Sequence, residues 1–177
     1  MINWNNNEYI LKSGWASTLI NQEIHNNYIN NIKLIKDCDE FHSARGDRHP
    51  VEDFIEDKTS VLLAWAKQLE PKINAFEYSI NVFLPNEELP IHNDYYDFNR
   101  DKPVRGILWI NPEDVEGTLL YNNEEEDSIG ALGGATGDIL LFNTTENSYH
   151  GAINSTNTNR YTVNFTFITL PLKVKQI

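Results

Sequence analysis

The sequence predicts an α+β protein, mainly β, in which an N-terminal helical layer packs on a C-terminal jelly roll. After Pro71 the chain is a series of short runs rich in β-branched and aromatic residues, and Pro, Asn and Gly separate these runs. No helical segment interrupts the series, which is typical of antiparallel strands in a sandwich or barrel. Before Pro71, the segment DKTSVLLAWAKQLEP has the apolar spacing of a helix.

Length and composition indicate one domain over residues 1–177, with a helical or mixed flank at about 1–75 and the jelly-roll core at about 76–170. The formal net charge of -12 disfavours a nucleic-acid partner, because Lys and Arg supply most phosphate affinity. The start MINWNNNEYI lacks the features of a signal peptide, and no apolar run is long enough to span a membrane. We therefore expect a soluble cytoplasmic protein, while the oligomeric state stays open.

The first half of the chain carries weaker signals. EYIL is typical of a short strand, and the loosely periodic run from about Trp15 to Lys36 predicts a helix. FHSARGDRHP has turn composition and predicts a loop. Arg45 and Arg48 in this loop are candidates for the mouth of a site, although a solvated loop is the simpler interpretation. Cys38 is the only cysteine, so an intramolecular disulfide or a Cys-rich zinc site is excluded.

The helix predicted next has identifiable start and stop signals. Thr59 or Ser60 can cap its start, and Pro71 ends it. Its apolar face consists of Val61, Leu62, Trp65 and Leu69.

Five strands are predicted in the second half, from the runs AFEYSINVFLP, VRGILWINP, EGTLLYN, GDILLFN and RYTVNFTFITLP. The charged segment NNEEED at residues 122–127 is interpreted as a hairpin loop. The sequence shows no internal repeat and no low-complexity linker, which agrees with a single domain.

The segment LPIHNDYYDF contains the first candidate metal ligands. Side chains two apart in a strand point to the same face, so an extended segment directs His92 and Asp94 to one side. Asp97 is an odd number of places from His92 and points away or lies in the loop beyond. Pro85 and Pro90 favour extended backbone before them. Asp94 is therefore the better candidate ligand.

A third ligand is available in NSYHGAIN, where His150 opens a new short strand. Two histidines and one carboxylate form the facial triad of non-haem Fe(II) oxygenases. Zinc and manganese also accept imidazole and carboxylate, so the ligand types do not name the metal. A hydrogen-bonded histidine at a strand end remains the alternative interpretation of His150.

Arg160 begins the last predicted strand, on which Thr162 and Asn164 share its face. Burying a row of polar side chains that begins with an arginine inside a barrel costs free energy unless the row binds a partner. Guanidinium is a bidentate partner for carboxylate, and a nearby hydroxyl supplies a further donor. An exposed arginine on an edge strand is the alternative.

These residues carry a resemblance to a known superfamily. His92-Asn-Asp94, His150, and Arg160 with Thr162 resemble the His-x-Asp, His, Arg-x-Ser/Thr signature of Fe(II)/2-oxoglutarate-dependent oxygenases, in the same order. GGATGDILLFN is similar to the strand before the second histidine of that superfamily. VRGILWIN is similar to the strand after His-x-Asp in prolyl-hydroxylase-like members. The resemblance covers about residues 76–169.

The resemblance implies a double-stranded β-helix that holds Fe(II) at His92, Asp94 and His150. It implies 2-oxoglutarate as cosubstrate, with its distal carboxylate at Arg160 and Thr162, and O2 as oxidant. The implied activity is that of an oxidoreductase, a dioxygenase that hydroxylates a C–H bond and releases succinate and CO2. The prime substrate is a protein side chain, with prolyl among the candidates, or a small molecule.

Two points depart from the family pattern or leave it open. A tyrosine of the prolyl-hydroxylase branch commonly touches the 2-oxoglutarate carboxylate, and the matching position here is Trp109, which is either a donor to the cosubstrate or a core residue. The N-terminal half shows no recognisable substrate module. Two other classes stay open: a cupin-like metal-dependent isomerase or dioxygenase that does not use 2-oxoglutarate, and a non-catalytic β-sandwich binding module.

Overall fold

Two antiparallel sheets form the body of the protein, as seen in a computed structural model that describes residues 2–19, 50–95, 101–111 and 113–169. Several predictions fall outside these residues, namely most of the helix from about Trp15 to Lys36, and those for Cys38, Arg45, Arg48 and Asp97.

The larger sheet has five strands in the order β1-β7-β4-β9-β2. Their bounds are β1 Tyr9–Lys12, β2 Ala75–Phe83, β4 Val104–Trp109, β7 Ile139–Asn143 and β9 Arg160–Ile168. Alternation along β9 directs Arg160, Thr162 and Asn164 towards the second sheet, whereas the intervening aromatic residues face the opposite side. The polar row predicted on this strand is therefore present.

The smaller sheet has four strands in the order β3-β8-β5-β6. Their bounds are β3 Glu88–His92, β5 Thr118–Leu120, β6 Gly130–Leu132 and β8 His150–Ile153. The acidic segment at residues 122–127 connects the antiparallel strands β5 and β6, as predicted for a hairpin loop. Strand β6 is too short and too glycine-rich to have been predicted from apolar alternation.

Two short helices, α1 Pro50–Asp57 and α2 Thr59–Leu69, cover the outer face of the larger sheet. Apolar side chains of both helices are buried there, among them Val51, Ile55, Leu62 and Ala66. A short 3-10 helix, Ser17–Leu19, precedes them in the chain. An N-terminal helical layer over the first 75 residues is not shown, since the described part of that flank contains only these elements and β1.

The helix predictions are partly correct. Helix α2 lies where its apolar periodicity predicts it and ends before Pro71. Its predicted capping is wrong, because the residue at the cap position is Lys58, which makes no side-chain cap bond, and the Thr59 hydroxyl donates back to the Ile55 carbonyl. Helix α1 was not predicted: the predicted loop FHSARGDRHP ends at Pro50, and all of that loop except Pro50 lies outside the described residues. The helix begins at Pro50, a residue whose fixed φ suits the first turn of a helix.

A second apolar cluster fills the space between the two sheets. Its buried members are Trp4, Trp109, Leu120, Leu132, Leu140 and Phe142. Trp109 is completely buried, and the backbone of Gly133 approaches its ring closely. In the described part of the chain no helix is long and apolar enough to cross a membrane.

We predict that Gly133→Ala destabilises the fold considerably more than Gly14→Ala. Both glycines have positive φ, +73° and +64°, which costs an L-residue about 1–2 kcal/mol. At Gly133 an added Cβ would also lie 2.4 Å from a Trp109 ring atom, whereas at Gly14 it meets nothing within 4 Å. Overpacking adds about 1–3 kcal/mol. Urea denaturation of the two variants measures the difference, and equal losses of unfolding free energy would contradict this role of Trp109.

Candidate metal centre

Three potential metal ligands converge at one end of the smaller sheet. One ligand atom from each of His92, Asp94 and His150 lies within 4.8 Å of the other two. Asp94 Oδ2 is 3.6 Å from His150 Nε2, and Asp94 Oδ1 is 3.9 Å from His92 Nε2. The structure thus brings together the three residues that the sequence predicted as a metal site.

The two histidines are cross-strand partners in the β3–β8 pair. Their ring centroids are 4.4 Å apart. Each ring is oriented by a backbone carbonyl two residues earlier, at 2.8 Å from Nδ1: Pro90 for His92 and Ser148 for His150. A carbonyl only accepts, so Nδ1 carries the proton and Nε2 presents a lone pair towards Asp94. This is the arrangement by which proteins orient metal-binding imidazoles.

Asp94 follows β3 in a turn that Asn93 stabilises. The Asn93 Oδ1 accepts from the Tyr95 backbone N–H at 3.2 Å. This turn directs the carboxylate back beside the end of the strand, on the same side as His92. The predicted orientation of His92 and Asp94 is therefore observed, whereas Asp97 lies outside the described residues.

His150 is almost completely enclosed, with a side chain 6% exposed. Phe142 packs on its ring at 5.0 Å between centroids, and Trp4 lies at 6.2 Å. Burial, followed by the neighbouring His92, lowers the pKa of His150 to about 4. The ring is consequently neutral at physiological pH, which is the protonation state a metal requires.

The N-terminal segment braces the turn that precedes His150. Trp4 Nε1 donates to the Tyr149 carbonyl at 3.0 Å, and the Asn5 and Asn7 side chains donate to the Asn147 carbonyl. The Thr145 hydroxyl also donates to Asn7 Oδ1. The sequence gives no sign that this asparagine-rich start belongs to the site, because the contacts join residues far apart in the chain.

Arg160 lies in the same cavity but apart from the three ligands. It is 1% exposed, and Nη1 donates to the Ile153 carbonyl at 3.3 Å. Phe83 and Trp109 flank the guanidinium, with ring centroids 5.5 and 6.0 Å away. Burial lowers the pKa of Arg160 to about 10, partly opposed by Glu116, so the side chain stays cationic at neutral pH. Among the described residues no carboxylate lies within ion-pair distance of it.

Several buried donors near Arg160 have no hydrogen-bond partner in the described structure. They are the Arg160 Nε, the Trp109 indole Nε1 and the Thr118 Oγ1. Leaving such groups unpaired typically costs about 1–3 kcal/mol each. An anion in the cavity would pair with Arg160 and Thr118, which line it, and this is the property expected of a carboxylate site.

Thr162 and Trp109, the other two predicted cosubstrate residues, have different environments. The Thr162 side chain is buried on the same face of β9 as Arg160, and its hydroxyl donates to Asn164 Oδ1 at 3.1 Å. Trp109 packs in the cluster between the sheets and does not line the cavity. Of the two interpretations of Trp109, the core position is observed, and contact with a cosubstrate stays a prediction.

Arg105 is a site residue that sequence analysis missed. It lies on β4, and its Nε is 3.4 Å from Asp94 Oδ2 while Nη1 donates to the Thr166 hydroxyl. The available signal was the alternation of VRGILW, which places Arg105 on the same face as Ile107 and Trp109. The cavity that joins Arg105, Arg160 and the three ligands has a volume of about 330 Å³.

The fold is similar to that of known hydroxylases. A prolyl-4-hydroxylase from Pseudomonas putida superposes with a TM-score of 0.62 at 13% identity, over 96% of each chain. The viral collagen prolyl hydroxylase of Paramecium bursaria Chlorella virus-1, solved with 2-oxoglutarate, gives 0.58 at 12% identity, over 96% of this chain and 99% of that chain.

A third similar structure is the prolyl hydroxylase of Trichoplax adhaerens in complex with a peptide fragment of hypoxia inducible factor. Its TM-score is 0.64 at 15% identity, over 93% of this chain and 85% of that chain. No protein-family model and no curated protein matches the sequence. The structural likeness confirms the predicted jelly roll, the fold these hydroxylases share.

We predict that Asp94→Ala abolishes stoichiometric binding of a divalent metal and that Asp97→Ala retains it. Asp94 lies between the two histidines, whereas the alternation of an extended segment predicts that Asp97 points away from them. Metal content after anaerobic loading with Fe(II) and desalting, measured by mass spectrometry, tests both variants. If Asp97→Ala lost the metal and Asp94→Ala retained it, the strand register used to assign the ligands would be wrong by one residue.

Proposed function

We propose that the protein is an Fe(II)- and 2-oxoglutarate-dependent dioxygenase that hydroxylates a C–H bond. The overall reaction converts substrate, 2-oxoglutarate and O2 into hydroxylated substrate, succinate and CO2. The observation that carries this proposal is the presence, in one cavity, of a His-Asp-His cluster and a buried arginine that has no acidic partner among the described residues. The likeness in fold to prolyl hydroxylases supports it.

The ligand set fits iron by its chemistry. His92, Asp94 and His150 provide two imidazole nitrogens and one carboxylate, the donors of non-haem Fe(II) oxygenases. Fe(II), once bound, supplies the activation of O2 coupled to decarboxylation of the cosubstrate. The Pro90 and Ser148 carbonyls accept from Nδ1 of the two imidazoles, which leaves each Nε2 to bind the metal.

Arg160 fits the distal carboxylate of 2-oxoglutarate. Its guanidinium is held in place by the Ile153 carbonyl and by the rings of Phe83 and Trp109. The unpartnered hydroxyl of Thr118 lines the same cavity and can add a bond. The Thr162 hydroxyl must turn from Asn164 to do so, and its contribution is therefore the smaller one.

The surroundings of the site exclude water on one side. Phe142 and Ala152 are buried in the cavity wall. His92 and Asp94 remain 31% and 26% exposed, which leaves an approach for the prime substrate from the opposite side. A protein side chain, prolyl included, or a small molecule could enter there, and the peptide complex of the Trichoplax adhaerens enzyme favours neither for this chain.

A cupin-like enzyme without 2-oxoglutarate, or a binding module without metal, would leave the charge of Arg160 without a function. Anaerobic titration with Fe(II) and then 2-oxoglutarate separates the three classes. A weak visible charge-transfer band supports the proposal, metal without a band favours the cupin-like class, and no metal favours the binding module.

We predict slow formation of succinate from 2-oxoglutarate when Fe(II) and O2 are supplied without a prime substrate. Metal and cosubstrate alone can react, and the right substrate accelerates the reaction and couples it to product. NMR measures succinate in wild type, in metal-free protein and in His150→Ala. Equal rates in all three samples would refute the dioxygenase assignment.

We predict that Arg160→Ala weakens 2-oxoglutarate binding by roughly ten- to a hundred-fold or more, because a charge-assisted hydrogen bond is worth about 1.5–3 kcal/mol. Arg160→Lys keeps the charge without the fork and should fall between wild type and alanine. Thr162→Ala should cost only about 0.5–1.5 kcal/mol. Titration calorimetry with Zn(II)-loaded protein measures the affinities.

Two controls belong with the Arg160 experiment. Lys67→Ala removes a cation from the exposed side of α2 and should leave 2-oxoglutarate binding unchanged. Metal content should be retained in every variant, since none changes a ligand. Binding of 2-oxoglutarate to Arg160→Ala with wild-type affinity would move the cupin-like alternative ahead.

A further inference from the structure

Arg105 is a second arginine in the cavity, and binding of metal and cosubstrate does not account for it. Its side chain is 21% exposed and lies beside Asp94, while Arg160 is fully buried at the other end of the same sheet face. Nη1 donates to the Thr166 hydroxyl, whereas Nε lies 3.4 Å from Asp94 Oδ2 and makes no hydrogen bond in the described structure. The remaining donors of the guanidinium are available to a ligand in the cavity.

Arg105 belongs to a polar row across the open end of the larger sheet. Thr166 on β9 pairs with Arg105 on β4 and with Glu77 on β2, so the three side chains lie side by side on the inner face. All three line the cavity. In this row the Thr166 hydroxyl lies between a cation, Arg105, and an anion, Glu77. The row lies at the approach to the metal ligands.

A count of formal charges shows that Arg105 and Glu77 are not needed to neutralise the metal, the cosubstrate, Asp94 and Arg160. A divalent ion, the 2-oxoglutarate dianion, Asp94 and Arg160 have formal charges that cancel, because the ligating imidazoles must be neutral. Among the residues that the structure describes, the other charged residues of the cavity lining are Arg105 and Glu77. A prime substrate that balances them carries an anionic group for Arg105 and a cationic group for Glu77.

The size of the cavity favours a small molecule. Its volume of about 330 Å³ lies at the lower end of the range of ligand pockets, about 300–1,000 Å³. The cosubstrate takes part of this space, and what remains suits a molecule of few atoms.

We propose that the prime substrate is a small zwitterion of the α-amino-acid type, whose carboxylate binds Arg105 and whose amino group faces Glu77. This inference rests on the proposed function, and it names the substrate class of the same site. Guanidinium selects carboxylate through paired, charge-assisted hydrogen bonds. The carboxylate would then be fixed beside Asp94, which directs the rest of the molecule over the metal ligands.

The test measures binding rather than turnover. Protein loaded with Zn(II), which is redox-inert, and 2-oxoglutarate is titrated with each of the common L-α-amino acids, followed by saturation-transfer NMR. The best binder is compared with its α-carboxamide and its N-acetyl derivative. We expect the carboxamide to bind at least about tenfold more weakly, since it loses a charge-assisted bond. The N-acetyl derivative should lose about two- to fivefold, because Glu77 is exposed.

Variants of Arg105 and Glu77 show which residue is responsible for the preference for the free carboxylate and which for the preference for the free amino group. Arg105→Gln should bind the acid and the carboxamide about equally, and Arg105→Lys should keep part of the preference. Glu77→Gln should remove only the penalty of N-acetylation. Lys102→Gln, which removes a cation that does not line the cavity, is the charge-matched control and should behave as wild type.

The proposal would be overturned if the carboxamide bound to wild type as tightly as the acid does. It would also be overturned if no amino acid bound to protein that holds Zn(II) and 2-oxoglutarate. In either case the proposed function would still stand. Failure of Zn(II) or 2-oxoglutarate to bind would instead refute the proposed function. A preference for the acid that persists in Arg105→Gln would reassign the carboxylate to another residue.

Discussion

The irregular pairing of β3 with β8 is the feature on which the candidate site depends. Glu88 and Leu89 pair in one register, and the register then shifts so that His92 lies opposite His150. Without this shift Ile91 would lie opposite His150, and the two imidazoles would not meet. The shift occurs around Pro90, which has no N–H to donate to a ladder and is typical of bulges. The Pro90 carbonyl also orients the His92 ring.

The larger sheet supplies the cations, and its two faces differ sharply in chemistry. Aromatic residues of β9 pack against the helices, while the polar residues that alternate with them point into the cavity. Burying Arg160 without a carboxylate would be unfavourable for folding alone. The apolar packing on the other face of the same strand offsets that cost, and a ligand anion recovers part of it. One face of β9 thus contributes apolar packing, and the other face presents polar side chains to the cavity.

Alternation along strands accounts for what the sequence could predict. It identified Asp94 beside His92 and the row on β9 headed by Arg160, because each lies in a single run. It places Arg105 on the same face of β4 as Ile107 and Trp109, but only the contacts with Thr166 and Asp94 on other elements show that this arginine belongs to the site. The short strand β6 and the capping of α2 were missed for a related reason: β6 depends on its partner β5, and Thr59 bonds to the preceding helix.

The candidate site is also a joint between two sheets. His92 and His150 belong to the smaller sheet, whereas Arg105 and Arg160 belong to the larger one. The distance between the candidate metal ligands and Arg160 therefore depends on the packing of the apolar layer that contains Trp109. Close-packed interiors compress little and transmit strain. Applied hydrostatic pressure would therefore act on the spacing of the two groups of site residues through that layer, without changing any of the residues themselves.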